Sequence, residues 1–479
     1  MGPYVSLLLG LAVLASNGPR NGHSARLPLE TERGVDTSAD AGGQTYDLSI
    51  DDAVALAQQR SFKTARAERT LSQNELRYAN AKSQYLPKLT TSVGVNQQVR
   101  NLASSGSTYA YQVSSLGQFQ GTASADLSMP IDVGGVIHRQ VRQADIWRGI
   151  AANDVTNAAL DVSLDVQTSY LNALRAQSNA DADERVVREI QALLTRAGPQ
   201  STLGGFLQVE LANAQQTAQS SRESADNAQD SLKQILRVPP EAHLRLTSDL
   251  SGRKQPVERN GLLSRALSKR PDVQSALLRV QQAQTAIKQV SDSRKPTVRV
   301  GAFASQQIAG GAVYDGSYDR LRQGGGLVNI SVPFVQWDNG QLRRNKEVAR
   351  IAREQADADL EELRERVAYD VRQQRLAVIR AENRISNLPD PKQALQALQR
   401  AEQMLLSAPP ETAQGLVAQV SNARAAWRSA DTATADAYID YNNAVFRLKR
   451  LIGDSDALSA TTTAASEIPV QTVGPTFGQ

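Results

Sequence analysis

The chain has 479 residues, 53 basic and 49 acidic side chains, a formal net charge of +4, no cysteine and a mean hydropathy of −0.39. That length holds two or three ordinary domains, or one elongated architecture built from a duplicated half. The near-balanced, interspersed charge gives no nucleic-acid footprint, the lack of cysteine excludes disulfides and thiolate chemistry, and the polarity excludes a bundle of membrane-spanning helices, each needing ~20 consecutive apolar residues.

The run Tyr4–Ala15, YVSLLLGLAVLA, has the length of a signal-peptide apolar core, and Val13-Leu14-Ala15 offers a small-residue cleavage site, although the preceding MGP lacks a basic residue. Residues 1–25 are therefore read as an export signal, with no cysteine after it to carry a lipid. Residues 26–47 lack an apolar period and read as a disordered linker.

A first structural repeat is expected over residues 48–250. Its opening helix contains LAQQRSFKTARAERTL and stops at Leu86-Pro87, and a hairpin follows over 88–132. In LTTSVGVNQQVR, Val93 and Val95 alternate with Ser92, Gly94 and Asn96. In the next segment Ala125, Leu127 and Met129 alternate with Ser124, Asp126 and Ser128. Polar loops rich in Gly, Ser and Tyr, residues 101–117 here and 309–325 in the second hairpin, are expected to join the strands. A proline-free stretch from 134 to 197 then reads as one helix of ~95 Å, too long for a compact domain. Its small apolar residues fall on a seam, with further apolar positions off it, so that it packs neighbours on two sides. A tip at 198–205 and a returning helix at 206–237 complete the repeat.

The same order recurs over residues 260–453. ALSKRPDVQSALLRV repeats the opening helix with Arg270 where Arg60 stands, Pro296 matches Pro87, and Pro333 matches Pro130. The second hairpin, 297–335, places Val298, Val300, Val328, Ile330 and Val332 on one face, with Phe303 interrupting the polar face. A long helix at 340–407, a tip at 408–415 and a returning helix at 416–452 follow, and 454–479 reads as a disordered tail. Leu388-Pro389-Asp390-Pro391 is expected to kink the long helix.

Strands of ~10 to 12 residues with one apolar and one polar face fit a tilted membrane barrel, although each alone also fits a sheet on a soluble core. Four strands cannot close a barrel, for which about eight is the minimum, so closure requires two chains or three. On the barrel reading, Val93, Val95, Ala125, Leu127, Met129, Val298, Val300, Val328, Ile330 and Val332 face lipid. Phe334 and Trp337 then belong either to an interfacial aromatic belt or to packing against the next helix.

No catalytic constellation and no cofactor or metal site is expected. His23, His138 and His243 have no metal-ligating partner four residues away, and Asp181, Asp183, Glu184, Glu361 and Glu362 read as solvated helix faces paired with nearby arginines. Gly198, Pro199, Gly204, Gly205, Pro409, Pro410 and Gly415 are turn residues exposed at an assembly end, candidates for docking a partner or plain connectors. Arg196, Arg400, Glu402 and Glu411 are candidates for inter-subunit gate pairs.

The duplicated order of helix, hairpin, long helix, tip and returning helix resembles the TolC-like outer membrane efflux family. The resemblance is carried by Leu48-Ser49-Ile50-Asp51-Asp52-Ala53, Tyr85-Leu86-Pro87, Val332-Pro333-Phe334 with Asp338-Asn339-Gly340, and Tyr441-Asn442. It implies long helical hairpins forming a periplasmic α-barrel and four strands per chain in a homotrimeric, twelve-stranded barrel. It also implies an outer-membrane location and tips docked to a periplasmic adaptor on an inner-membrane pump of RND, ABC or MFS type. The chain would be a passive conduit for efflux or type I secretion. One departure is an acid-poor second tip, with no Asp between Asp390 and Asp431. The competing reading from the residues alone is a non-transporting coiled-coil protein of the envelope.

Overall fold

The computed structural model describes residues 45–101, 115–198, 201–248, 250–256, 260–310, 318–332, 338–408 and 413–453. The expected signal segment 1–25, most of the expected linker and the tail 454–479 lie outside them. The linker ends earlier than expected. Thr45–Leu48 forms a strand, β1, paired in parallel with β4, His243–Leu246, and this pairing orders a segment whose composition alone suggests no structure.

The opening helix of each repeat is two helices. Ser49 caps α1 (Ile50–Arg60) by accepting the Asp52 amide, and Ser61 then caps α2 (Phe62–Ser83) by accepting those of Lys63 and Thr64. The break in the second repeat falls at the equivalent place, between α5 (Leu262–Lys269) and α6 (Pro271–Asp292), where Pro271 starts the new helix. The returning helices end against these breaks. The Arg237 carbonyl, just after α4 (Thr202–Leu236), accepts from Arg60 Nη1. Gly453, just after α9 (Ala413–Leu451), lies against the Arg270 backbone, where any Cβ would meet Arg270 Cα at 3.0 Å.

Strands β2 (Lys88–Asn101), β3 (Ser115–Ile131), β5 (Thr297–Gly310) and β6 (Tyr318–Ser331) form one antiparallel sheet in the order β2-β3-β5-β6. Both hairpins run further than the loop composition suggests. β3 already begins at Ser115, and YDRLRQGG, expected as loop, is strand from Tyr318, because ladder pairing with Gly310 through Phe303 continues along it. Glycines 324–326 fit there because Phe303 covers Gly325, whose Cβ position lies 3.5 Å from the ring.

The long helix α3 (Val136–Ala197) has 62 residues, which spans ~93 Å. It starts where Asp132 accepts the amides of Ile137 and His138, and Asp338 accepts those of Gly340 and Leu342 at the start of α7 (Gln341–Ser386). Gly135 and Gly340 precede these helices with φ of 68° and 75°, a left-handed conformation that favours glycine. The expected kink is a full break. α7 ends at Ser386, and Asp390 caps α8 (Pro391–Ser407) by accepting the Lys392 amide.

Next to the sheet the helices pack in the order α2-α3-α6-α7, the order of the strands they join, and further away α4, α3, α9 and α8 lie side by side. Three apolar clusters hold this rod. One joins β1, α1, α3, α4 and β4 around Tyr170. A second joins α5, α6, α7 and α9 around Val367 and Val445, and a third, around Leu193, Leu207, Leu398 and Trp427, holds the far end. Among the described residues no helix is long and apolar enough to cross a membrane.

Buried polar side chains pin the crossover between the repeats. Tyr170 donates to the Leu48 carbonyl at 3.0 Å and accepts from the Ser248 amide at 3.1 Å. Asn442, fully buried, donates to the Leu250 and Arg253 carbonyls and accepts from the Gln255 amide. Asn442→Ala leaves these backbone groups unpaired at about 1–3 kcal/mol for each buried one. Limited proteolysis should therefore cut residues 250–256 faster in the variant, with the helices intact.

Candidate functional site: an open sheet and a charged helical tip

The sheet has two unlike faces. In register, Val93 pairs with Ala123, Ala125 with Ala304, Leu127 with Ala302, Met129 with Val300, Val298 with Ile330, and Val300 with Val328, so the apolar residues of all four strands share one face. Most of them are exposed, and Ala123, Ala125 and Val298 are half-buried. Val93, Val328 and Ile330 are each more than 60% exposed, and Val95, Leu127, Met129, Val300 and Val332 are also exposed. The opposite face carries Lys88, Thr90, Ser92, Ser124, Asp126, Ser128, Arg299 and Ser305, with Ser92 and Ser124 hydrogen-bonded hydroxyl to hydroxyl at 2.7 Å. β2 and β6 each pair on one side only.

Arg139 to Asp292 at 2.5 Å, and Arg294 to Asp338, tie the starts of α3 and α7 to the end of α6 and the turn that follows it. These contacts hold the sheet on the helices. The carboxyls of Asp292 and Asp338 both lie below the usual range, the first chiefly through the Lys295 bond and the second through the Gly340 amide.

Along the rod, α9 is joined to its neighbours by an ion-pair ladder that changes sign. Along its middle, α9 supplies acids: Asp436 takes Arg175 at 3.0 Å, Asp440 takes Arg175 and Arg384, and Asp431 takes Arg185, while Arg450 at its end bonds Asp161 of α3. Nearer the tip it supplies cations. Arg428 bonds Asp183 of α3, to which Ser221 of α4 also donates, and Arg424 bonds Glu210 of α4 at 2.8 Å. Burial pushes the Asp183 carboxyl up, but the bonds from Arg428 and Ser221 outweigh it and hold the group below its ordinary range.

Arg424 and Glu402 are as enclosed as Asp183, with side chains 5% and 4% exposed. Glu402 lies 3.6 Å from Arg424 and 3.5 Å from Arg196. Neither Glu402 Oε1 nor Arg424 Nε and Nη2 has a hydrogen-bond partner. Burial raises the Glu402 carboxyl above its usual range, more than the Arg424 charge lowers it.

Several expectations change here. Arg196 and Glu402 already meet within one chain, and Arg400 is exposed with no ion pair among the described residues. Gly204, Gly205 and Gly415 are helical, not loop: Ser201 caps α4 by accepting the Gly204 amide, and α9 begins at Ala413. Gly198 ends α3 with φ 82°, and a Cβ on Gly198, Gly205 or Gly415 would meet nothing within 4 Å. Asp183 is buried rather than solvated, and Glu184 reaches Arg222 on α4, whereas Glu361 and Glu362 do pair with Arg364 and Arg366 on their own helix. Pro199, Pro409, Pro410, Glu411, Phe334 and Trp337 lie outside the described residues. Arg424, Arg428 and Glu210 were not singled out from sequence; the spacing of Arg424 and Arg428, one helical turn apart among alanines, is the signal that marks them.

Residues 262–454 match the family described as outer membrane efflux protein. The sequence matches no protein of curated function. Among solved structures, the chain resembles the outer membrane channel CmeC of Campylobacter jejuni, with TM-score 0.62 and 16% identity over 88% of this chain and 90% of that one. The outer membrane protein VceC of Vibrio cholerae gives 0.61 and 17%, over 84% and 96%. The open-state MtrE outer membrane channel of Neisseria gonorrhoeae gives 0.64 and 17%, over 84% and 88%. Most of the second repeat thus matches the outer membrane efflux protein family, and the chain shares the fold of these outer-membrane channels along most of its length.

Proposed function

We propose that three copies of this chain form an outer-membrane channel in which each contributes four strands to a twelve-stranded barrel and its helices to a periplasmic tunnel. The observation that carries this reading is the four-stranded sheet with two unpaired edges and one largely exposed apolar face. Because its strands alternate in direction, β6 of one copy can take β2 of the next antiparallel, continuing the sheet as a ring. The apolar residues from Val93 to Val332 then face lipid and the Ser/Thr/Gln face lines water. Phe334 and Trp337 would mark the periplasmic interface.

At the far end, Gly198, Pro199, Gly204, Gly205, Pro409, Pro410 and Gly415 would dock a periplasmic adaptor joined to an inner-membrane pump. Arg196, Arg400, Glu402 and Glu411 would form the gate, with Arg424 and Glu210 completing the latch around Glu402. Cargo would move passively, driven by the pump. Purified protein in detergent should have the mass of three chains and give stepwise conductance in planar bilayers. A water-soluble monomer without conductance would favour a non-transporting envelope scaffold instead.

A further inference from the structure

The apolar face of the sheet has one basic interruption among its fully described positions. Arg322 of β6 pairs with Gln306 of β5, which pairs with Ala123 of β3, and this row belongs to the face that carries Val300, Val328 and Ile330. Arg322 is exposed, and among the described residues no acid pairs with it. Two residues further from the helices, the backbone register sets Arg320 opposite Ile308. Between this row and Val328 the face is smooth: Ala302 pairs with Gly326 and Ala304 with Gly324, all exposed, and a Cβ on Gly326 would meet nothing within 4 Å.

The position of Arg322 along the strand is informative. Val332 and Arg322 are ten residues apart, ~33 Å along a strand, which at a tilt of ~40° is ~25 Å of height, the full apolar band of an outer-membrane barrel. An arginine facing lipid is strongly disfavoured at the midplane and tolerated at the interface. Arg322 therefore stands where the hydrocarbon ends on the side away from the helices, with a side chain suited to a phosphate and no acid among the described residues paired with it.

We propose that Arg322 and Gln306 bind the phosphate of a phosphorylated outer-leaflet lipid, one acyl chain of which lies on the shelf of Ala302, Ala304, Gly324 and Gly326. The inference rests on the channel reading. Gln306 adds an amide donor beside the guanidinium, and the glycines let the chain approach the backbone.

The test reconstitutes the full chain into phosphatidylcholine vesicles containing diphosphorylated lipid A or its dephosphorylated form, re-extracts it, and measures retained lipid by native mass spectrometry. The wild type should retain diphosphorylated lipid A, and apparent affinity should fall about tenfold for the dephosphorylated lipid and for Arg322→Gln, the scale of one lost charge-assisted hydrogen bond. Arg322→Lys should keep most of the binding, and excess inorganic phosphate should not displace the lipid. Unchanged heat-modifiability of Arg322→Gln shows that its barrel is intact. Equal retention by Arg322→Gln, or of both lipids by the wild type, overturns the inference while leaving the channel reading in place. A wild-type chain that inserts into neither vesicle overturns the channel reading itself.

Discussion

Arg424→Met is expected to destabilise the helical tip by about 3–5 kcal/mol, because it leaves the Glu402 carboxylate buried without its main counter-charge. The double variant Arg424→Met/Glu402→Gln should recover part of that loss, since it removes the more deeply buried unpaired acid and leaves only the partly exposed Glu210 without Arg424. The effect depends on pH, with a definite sign. Well below the ordinary glutamate range of about 4.3, Glu402 is protonated whether folded or unfolded and costs nothing. As pH rises, the unfolded chain ionises first, because burial raises the folded group, so stability is lost with increasing pH. Loss of Arg424 raises the folded group further and enlarges that loss.

The variant should accordingly lie closer to wild type at pH 5 than at pH 8 in thermal unfolding. Asp183 acts in the opposite sense. Its folded carboxyl is lowered, so its contribution is present above the ordinary aspartate range of about 3.9 and is lost as pH falls through that range and below. Between pH 5 and 8 it is constant, which isolates Glu402. A variant whose loss is equal at both pH values would contradict the assignment. If the cluster latches the tip, single-channel records of Arg424→Met should also show a larger conductance.

Gly301→Val is expected to abolish the barrel. A Cβ at Gly301 would lie 2.5 Å from the Leu127 carbonyl oxygen, and that atom is backbone in the neighbouring strand. Relief requires β5 to move away from β3, the only pairing that joins the two hairpins. Overpacking usually costs about 1–3 kcal/mol, and a clash with a ladder carbonyl belongs at or above the top of that range. Unheated Gly301→Val should migrate on gels like heated protein, without the shift of a folded barrel. Gly326→Ala, where a Cβ meets nothing within 4 Å, should be within about 0.5 kcal/mol of wild type. Normal heat-modifiability of Gly301→Val would show that the β3–β5 pairing is not required.

What the sequence made legible follows from periodicity. Strand alternation has a period of two, so Val93, Leu127, Val300 and Ile330 could be assigned to one face without knowing which strands pair, and the register then joined them. The duplication was legible because prolines and glycines at element ends, such as Pro87 and Pro296, are fixed by backbone geometry. The breaks at Ser61 and Arg270 were missed: on either side the residues are good helix formers, and a serine cap inside such a run looks like an ordinary polar position. The β1–β4 pair joins two four-residue strands nearly 200 positions apart, below what alternation can signal. Asp183 reads as solvated because a helical face shows its own neighbours but not the helices that cover it. Asp183 is buried only because α3, α4 and α9 converge there.

The central claim, that copies of this chain join β6 to β2 in a closed ring of three, is open to one direct measurement, because the chain has no cysteine of its own. One cysteine is placed at Ser92 of β2 and a second, in a series of variants, at Gln323, Gly325, Leu327 or Asn329 of β6, all on the polar face. Oxidation of the assembled protein should cross-link at least one pair between chains, with products that stop at three chains. Failure of every pair to cross-link, or a ladder extending beyond three chains, would contradict the closed ring.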